Sequence, residues 1–288
     1  MRTGRIIKAL SGFYYIKVDE EVYQTRARGI FRKSGMNSPL VGDIVDFESD
    51  NLTEGTLTTI HERKNALKRP QVANVDQMLI TMSLKSPDFS FYLTDRFIAY
   101  SESFDIEPVL IITKKDLNTD EALIEKIKET YKMYKIFFTS KEHFDEDLRE
   151  VFTDKLSVLA GQTGVGKSTL LNTLLPKLGL ETGEVSKALG RGKHTTRHVE
   201  LVEKNGGLVA DTPGFSTIEF THIEKEALKY CFIDFDMPSE SCKFRGCNHI
   251  NEPKCGVKSA VESEDINRTR YESYLQIYEE IENYKERY

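Results

Sequence analysis

Nine residues in the middle of the chain have the types and spacing of a phosphate-binding loop. Glycine at three of these positions permits backbone angles that turn successive N–H groups toward phosphate oxygens. A lysine and a serine follow the last glycine; in such loops the ammonium reaches the β- and γ-phosphates and the hydroxyl ligates Mg²⁺. The predicted phosphate loop consists of Gly161, Gln162, Thr163, Gly164, Val165, Gly166, Lys167, Ser168 and Thr169.

The segments on either side of this loop have the hydrophobic pattern that phosphate binding requires. Leu156–Ala160 is a short apolar run that predicts a buried strand, and residues 168–175 have the composition of an opening helix. The helix N-terminus would add its partial positive charge to the loop, which favours a bound phosphate. The sequence therefore predicts a strand, a phosphate loop and a helix, with a glycine-rich turn that binds nothing as the alternative.

The residues that choose the base come before the phosphate loop. The apolar strand of residues 109–112 delivers four polar residues at its carboxyl end, Thr113, Lys114, Lys115 and Asp116. A carboxylate accepts hydrogen bonds from the ring N–H and the exocyclic amine of guanine, whereas adenine presents an acceptor at that ring position. Asp116 therefore predicts guanine. Thr113 stands where Asn is usual, so we expect the loss of an amide that braces the loop and contacts the base; residues 139–141, Thr-Ser-Lys, are a weaker candidate for a last base contact.

A second acidic motif follows the phosphate loop later in the chain. The apolar run of residues 207–210 ends in Asp211, Thr212, Pro213 and Gly214. Asp211 is predicted to hold Mg²⁺ through water at a strand end, and the Gly214 N–H is predicted to approach the γ-phosphate. Alone, such a sequence is most often a plain turn, so the prediction depends on the phosphate loop before it.

A glycine-containing basic segment, residues 190–198, lies between the phosphate loop and Asp211. We interpret it as a switch loop in which one of two adjacent threonines, Thr196 in preference to Thr195, closes on Mg²⁺ and the γ-phosphate. The closure would be released after hydrolysis of the nucleotide. An exposed basic loop without this role is the alternative.

Hydrolysis also needs a group that orients the attacking water. Phe215 stands directly after Gly214, where Gln is usual, and an aromatic ring cannot position water. His194 in the switch loop is the available candidate, because neutral imidazole accepts a hydrogen bond near neutral pH. We therefore predict His194, Thr196 and Lys167 as catalytic residues, with slow intrinsic hydrolysis that a partner accelerates by ordering the switch loop.

The N-terminal segment, residues 1–66, has the pattern of a small β-barrel. Apolar and polar residues alternate between recurring glycines, as in short strands joined by turns. Residues 1–70 contain twelve Lys and Arg against nine Asp and Glu, a net charge of +3 in a chain whose total is −6. With Phe13, Tyr14, Tyr15 and Phe31 available for stacking, the pattern predicts RNA binding, and a purely structural barrel is the alternative.

Three cysteines and one histidine fall within a short C-terminal segment, at Cys242, Cys247, His249 and Cys255. Three thiolates and an imidazole complete a closed tetrahedral Zn²⁺ site, which leaves no position open for catalysis. We therefore predict one structural Zn²⁺ that stabilises a segment too small to fold by core burial alone. Disulfides are the alternative, and we expect free thiols because no secretory signal pattern opens the sequence and a phosphate-loop enzyme implies a reducing cytosol.

The remaining C-terminal residues are expected to pack around this cluster. Cys231 lies outside the cluster and is expected to be a core residue. Residues 264–284 place apolar and aromatic side chains near helical spacing, which predicts a helix that packs on the metal-binding segment, with a docking face as the alternative. The stripe consists of Ile266, Tyr271, Tyr274, Leu275, Tyr278 and Ile281.

Composition sets limits on size and partners. A chain of 288 residues with 39% apolar content has enough material for two or three domains with real cores. No apolar run reaches the roughly 18 residues of a membrane-spanning helix, so we expect no membrane partner. The acidic total argues against indiscriminate nucleic-acid binding, so we expect no DNA partner and assign RNA contacts to the barrel and the switch region.

Taken in chain order, these motifs resemble those of the RsgA (YjeQ/YloQ) family of circularly permuted GTPases. The resemblance covers nearly the whole chain, and it includes residues 69–77 and the segment from Cys242 to Cys255. It rests above all on a base motif that precedes the phosphate loop, which is the reverse of the usual GTPase order. The resemblance implies an α/β protein with an N-terminal OB-fold, a central permuted GTPase domain and a C-terminal zinc domain.

Function and domain bounds follow from these predictions. We expect an OB-fold at residues 1–66, a GTPase domain at 67–220 and a zinc-binding domain at 221–288. The resemblance implies a cytoplasmic GTPase that acts in late maturation of the small ribosomal subunit, is stimulated by that subunit, and uses GTP/GDP and Mg²⁺; we expect a monomer. The alternatives are a P-loop ATPase or kinase, which predicts preference for adenine, and a nucleotide-gated RNA-binding scaffold with negligible turnover.

Overall fold

The computed structural model describes residues 1–32, 38–117, 120–140, 146–174, 199–211 and 218–285. The chain divides into two compact units that interleave along the sequence. Unit 1 comprises Met1–Gln77, Glu146–Leu159 and Lys167–Phe215, and unit 2 comprises Met78–Asp145, Ala160–Gly166 and Ser216–Tyr288.

A closed five-stranded barrel forms the N-terminal part of unit 1. Its strands are β1 (Arg2–Leu10), β2 (Phe13–Val18), β3 (Glu21–Ala27), β4 (Ile44–Ser49) and β5 (Gly55–Ile60). They are hydrogen-bonded in the order β1-β2-β3-β5-β4, and β4 returns to pair with β1, which closes the barrel. Ile6, Ile16 and Phe47 are fully buried inside it. This closure confirms the predicted barrel, and the strand order is that of a five-stranded OB-type barrel.

The rest of unit 1 extends this sheet with strands from later in the chain. The elements are β6 (Ala66–Lys68), β7 (Gln71–Ala73), β11 (Leu156–Ala160), α3 (Lys167–Leu174), β12 (Glu200–Lys204) and β13 (Gly207–Asp211). β11 is parallel to β13, β12 is antiparallel to β13, and β12 pairs with β1 of the barrel. The Lys8 ammonium lies 2.8 Å from the Glu200 carboxylate at this junction.

Unit 2 begins with three strands and two helices in alternation. They are β8 (Gln77–Ser83), α1 (Phe91–Glu102), β9 (Glu107–Thr113), α2 (Glu121–Thr130) and β10 (Lys135–Phe138). The order in the sheet is β10-β9-β8, and β9 is parallel to β10. Ser90 and Asp120 cap α1 and α2, each accepting a hydrogen bond from a backbone N–H of the first turn. Parallel strands end at one edge, so β9 delivers its carboxyl-terminal residues there.

The C-terminal part of unit 2 is helical. It consists of α4 (Asp236–Ser239), α5 (Gly256–Glu262) and α6 (Arg268–Lys285), preceded by 3₁₀ turns at Lys225–Cys231 and Ile233–Phe235. The helix predicted from the aromatic stripe is therefore present as α6. It packs on α1 and on the loop before α5, where Tyr271 and Tyr274 donate hydrogen bonds to the carbonyls of His249 and Asn248. None of the helices in the described ranges is long and apolar enough to cross a membrane.

A buried ion-pair network fixes α6 in place. Arg270 is fully buried and forms a bidentate pair with Asp234 and a 2.8 Å pair with Asp95 of α1. Its guanidinium also lies over the ring of Phe232 at 4.8 Å from the centroid. Burial raises the pKa of Asp95 to about 6 although Arg270 favours the charged carboxylate. The network thus stabilises one arrangement of α1 and α6.

Candidate functional site

The phosphate loop has the backbone that its glycines predict. β11 ends at Ala160, and φ is 140° at Gly161, 86° at Gly164 and 99° at Gly166. A Cβ at Gly161 would lie 2.1 Å from the Thr81 carbonyl oxygen, so no other residue fits there. The predicted order of strand, loop and helix is confirmed, because α3 starts at Lys167, directly after the last glycine.

Lys167 is placed to meet a negative charge. It is the first residue of α3 and is partly buried, and this burial lowers the pKa of its ammonium to about 8. A cation that loses hydration in this way is stabilised by a bound anion such as a phosphate. Ser168 and Thr169 follow on the first turn, and both are exposed.

Thr113 braces the loop, contrary to the expectation from the sequence. The hydroxyl of Thr113 lies 2.5 Å from the Val165 carbonyl oxygen and 3.2 Å from that of Met82. Both belong to unit 2, and Thr113 is only 6% exposed. The prediction that replacing Asn by Thr removes the brace was therefore wrong: a hydroxyl on Cβ reaches the same loop with its single hydrogen.

Lys114 makes a second connection to the loop. Its backbone is left-handed, with φ of 58°, and its ammonium donates to the Gly164 carbonyl at 2.8 Å and to the Ser86 carbonyl. Because Thr113 and Lys114 are adjacent, the end of β9 is fastened to the phosphate loop at two points. These contacts position the base motif relative to residues 161–166 within one unit.

Asp116 lies on the turn that follows these two residues. Lys115–Leu117 forms a 3₁₀ turn, and both Lys115 and Asp116 are exposed. The Lys115 N–H donates to the Thr139 carbonyl at 3.1 Å. The loop after β10 therefore starts beside the Asp116 turn; the base contact predicted for residues 139–141 stays a prediction, and residue 141 lies outside the described ranges.

The predicted switch loop and most of the second acidic motif lie outside the described ranges. Residues 175–198 and 212–217 lie outside the described part of the chain. Asp211 is the last residue of β13, and only its backbone is described. The predicted roles of Asp211 and of the residues in these segments stay predictions; the latter are His194, Thr195, Thr196, Gly214 and Phe215.

The structure brings the four predicted metal ligands together. The ligand atoms of Cys242, Cys247, His249 and Cys255 all lie within 4.8 Å of one another. The Cys242 and Cys255 sulfurs are 3.9 Å apart, and His249 Nδ1 is 3.7 Å and 3.3 Å from them. With Zn–S bonds of about 2.3 Å and Zn–N bonds of about 2.0 Å, a tetrahedron separates the sulfurs by about 3.8 Å and sulfur from nitrogen by about 3.5 Å. The spacing fits a tetrahedral divalent cation.

Neighbouring groups orient these ligands. The Gly256 N–H donates to Cys242 Sγ at 3.2 Å, and His249 Nε2 lies 3.2 Å from the Ser239 hydroxyl, which directs Nδ1 at the thiols. Cys255 caps α5 by accepting from the Lys258 N–H. All four cysteines are free thiols, and Cys231 is buried outside the cluster, as predicted.

One cationic contact within unit 2 was missed from the sequence. Arg96 of α1 donates to the Ile218 carbonyl at 2.9 Å and pairs with Glu280 of α6. Ile218 is the first described residue after the segment that contains Gly214. The only indication in the sequence was a charged residue, Arg96, in a partly apolar helix. Such residues are usually exposed to solvent, so the contact was not predicted.

A base motif that precedes the phosphate loop in the chain is the motif order of a circularly permuted GTPase, and here it is combined with an N-terminal closed barrel. The protein-family model described as RsgA N-terminal domain matches residues 3–57, and the family model described as RsgA GTPase matches residues 60–221. The chain belongs to the RsgA GTPase family. Residues 3–57 contain all but the first residue of β1, the whole of β2 to β4 and part of β5.

Three relatives show how far the similarity extends. The small ribosomal subunit biogenesis GTPase RsgA of Staphylococcus saprophyticus is 52% identical over the full length of both chains. The crystal structure of YloQ, described as a circularly permuted GTPase, superposes with a TM-score of 0.84 at 46% identity, covering 98% of this chain and 96% of YloQ. YjeQ from Thermotoga maritima gives a TM-score of 0.85 at 36% identity, covering 97% and 98%. The similarity therefore spans the barrel, the phosphate loop and the C-terminal region.

Proposed function

We propose that this protein binds GTP, hydrolyses it to GDP and phosphate, and acts in maturation of the small ribosomal subunit, which stimulates the hydrolysis. Family membership and the names of its relatives support the reaction and the partner. The observation that carries the proposal is the double connection of Thr113 and Lys114 to residues 161–166. These two contacts fix the position of the proposed base-selecting motif relative to the phosphate-binding loop.

The phosphate groups would be held by the loop and the start of α3. The N–H groups of residues 161–166 and Lys167 neutralise the phosphates, and Ser168, Thr196 and Asp211 are the proposed ligands of Mg²⁺. When bound, Mg²⁺ neutralises charge that develops on the phosphates. The left-handed glycines and the lowered pKa of Lys167 fit such an anion. Gln162, Thr163 and Thr169 complete the loop.

Guanine would be selected by Asp116. Its carboxylate is exposed on the turn after β9. An ionised carboxylate accepts from the two adjacent donors of guanine and repels the ring acceptor of adenine. Lys114 and Lys115 flank it, and we assign residues 139–140 to the far side of the base. This favours a GTPase over a P-loop ATPase or kinase.

Water would be oriented by His194. Phe215 stands directly after Gly214, so the glutamine side chain that is usual at this position is absent. In the proposed mechanism Thr196 closes on the γ-phosphate, and His194 accepts a hydrogen bond from the attacking water. Ordering of this segment by the subunit would raise the rate.

We further propose that the Cys242, Cys247, His249 and Cys255 cluster holds one structural Zn²⁺. The ligand spacing supports a tetrahedral cation, and four protein ligands leave no open position. Residues 221–288 would then form the zinc domain, with residues 1–66 as an rRNA-binding barrel and 67–220 as the GTPase domain. We propose a monomer that works in the cytoplasm, where ribosomal subunits mature.

The test is GTP hydrolysis by the purified protein, alone and with small ribosomal subunits. Large subunits and ATP are the controls. We expect slow turnover alone, stimulation by small subunits, and no stimulation of His194→Ala, which should still bind GTP. Stimulation by large subunits as well, or preference for ATP, would contradict the proposed function; binding with negligible turnover under all conditions would favour the scaffold alternative.

A further inference from the structure

The hydroxyl of Thr113 is enclosed by backbone acceptors. It lies at the end of β9, 2.5 Å from the Val165 carbonyl oxygen of the phosphate loop and 3.2 Å from the Met82 carbonyl oxygen. The side chain is 6% exposed, and Val165 and Met82 are almost fully buried. Both neighbouring groups can only accept hydrogen bonds.

This surrounding decides where the hydroxyl hydrogen points. A threonine hydroxyl carries one hydrogen, and two carbonyl oxygens compete for it. The shorter distance assigns it to Val165, and turning it elsewhere would leave a buried carbonyl of the loop without its donor. Thr113 therefore has no hydrogen left for a ligand while it braces the loop.

An asparagine at this position would offer more hydrogen-bond donors than threonine does. Its amide carries two N–H groups, so one can brace the loop and the other can reach an acceptor on the base. Guanine presents such an acceptor at N7. The neighbouring Lys114 ammonium is directed at the Gly164 and Ser86 carbonyls.

We propose that Thr113 positions the phosphate loop without binding the base, so that guanine is selected at its donor edge by Asp116 and Thr113 donates no hydrogen bond to N7. The proposal rests on the proposed function as a guanine-nucleotide enzyme. It implies that the site accepts guanine nucleotides that lack N7 as well as it accepts the natural ones. Thr113 acts through Val165 and is a positioning residue.

The test compares GDP with 7-deaza-GDP, in which carbon replaces N7, as competitors for a fluorescent GDP. The ratio of the two dissociation constants measured on one protein is independent of the fraction of that protein that is folded. We expect a ratio within about twofold of one for the wild-type protein. Thr113→Asn should prefer GDP by about fivefold to tenfold, the worth of one net hydrogen bond.

Two further variants separate the brace from the base. Thr113→Ser keeps the hydroxyl and should keep both the wild-type affinity and the ratio near one. Thr113→Val keeps the shape and removes the donor, so both nucleotides should bind more weakly by about the same factor, with the ratio still near one. Hydrogen exchange of the Val165 and Gly166 amides should rise in Thr113→Val and not in Thr113→Ser.

Two results would overturn the proposal. They are a wild-type preference for GDP over 7-deaza-GDP of fivefold or more, and a Thr113→Asn variant with no greater preference than the wild type. ATP is included as a third competitor because it addresses the proposed function separately. If ATP competes as well as GDP, guanine recognition itself fails; if GDP outcompetes both ATP and 7-deaza-GDP, the enzyme is guanine-specific and only the inference about N7 fails.

Discussion

The phosphate-loop region and the Cys₃His region of unit 2 are built on different principles. In the first, the side chains of Thr113 and Lys114 donate to carbonyl groups of the phosphate loop, and Asp116 is exposed on the turn that follows them. In the second, the thiols lie close together, and the Gly256 N–H, the Ser239 hydroxyl and the Tyr271 hydroxyl contact the cluster or its loop. One region suits a ligand that exchanges, and the other suits a permanent ion.

Removal of the metal should have the largest effect and should be confined to the second region. We expect Cys255→Ser to lose stoichiometric zinc and to lower the melting temperature by at least about 10 °C, because zinc binding contributes about 10 kcal/mol or more to such sites. GDP affinity should change by less than about threefold. Metal content, thermal denaturation and GDP titration measure these effects.

Cys231→Ala is the matched control for this experiment. Cys231 is a buried thiol outside the cluster, so the variant should keep one zinc per chain. Loss of GDP binding in Cys255→Ser that matched the loss of zinc would show that the two regions are not independent, and the comparison would fail.

The buried network around Arg270 should give the next largest effect. Arg270→Met leaves the carboxylates of Asp95 and Asp234 buried without their cation, which should cost about 3–5 kcal/mol of stability at pH 7. The pKa of Asp95 is already raised to about 6, and the variant should raise it further. A carboxyl group whose pKa is raised by folding destabilises the folded state once the pH is high enough to ionise it. The stability that Arg270→Met loses should therefore be smaller at pH 5 than at pH 7.

Arg268→Met, on the exposed face of the same helix, is the control for Arg270. It should change the free energy of unfolding by no more than about 0.5 kcal/mol. Urea denaturation at pH 5 and pH 7 measures both variants. A cost for Arg270→Met that is below 1 kcal/mol, or that grows toward pH 5, would contradict the role of the network.

These two regions also differ in how much of them the sequence predicts. The phosphate loop, its flanking strand and helix, and the four metal ligands were predicted, because each depends on residues that are near one another in the chain. The Thr113 brace and the Arg270 network were not predicted. They join residues that are far apart, 52 positions for Thr113 and Val165 and 175 for Arg270 and Asp95.

Physical expectations from sequence point the wrong way for both of these contacts. A charged residue such as Arg270 on a helix is normally assigned to solvent, and only the folded structure shows the acidic partners that allow its burial. A threonine in place of an asparagine suggests a lost contact, and only the distance between β9 and the loop shows that a shorter side chain reaches. The barrel was predicted as a class of fold, and its strand order required the pairings themselves.

A smaller effect should appear in the pH dependence of nucleotide binding. Burial lowers the pKa of Lys167 to about 8, and a bound phosphate should raise it again. The cation therefore contributes fully below pH 8, and above pH 8 binding must take up a proton. GDP affinity should fall by about tenfold between pH 7 and pH 9.

Lys167→Arg provides the control for this titration, because its guanidinium stays charged throughout. Its GDP affinity should change less than that of the wild type over the same range. A wild-type affinity that is flat from pH 7 to pH 9, measured by calorimetry, would show that Lys167 is fully protonated without the nucleotide.

The most direct test of guanine recognition is competition between GTP, ATP and xanthosine triphosphate on the wild-type protein and on Asp116→Asn. Xanthine carries a carbonyl where guanine carries its exocyclic amine, so the amide of the variant can donate to it. We expect the wild type to prefer GTP strongly, and Asp116→Asn to lose about a hundredfold in GTP affinity and to gain affinity for the xanthine nucleotide. Equal competition by ATP in the wild type, or unchanged GTP affinity in Asp116→Asn, would contradict the assignment of this chain's base-binding site.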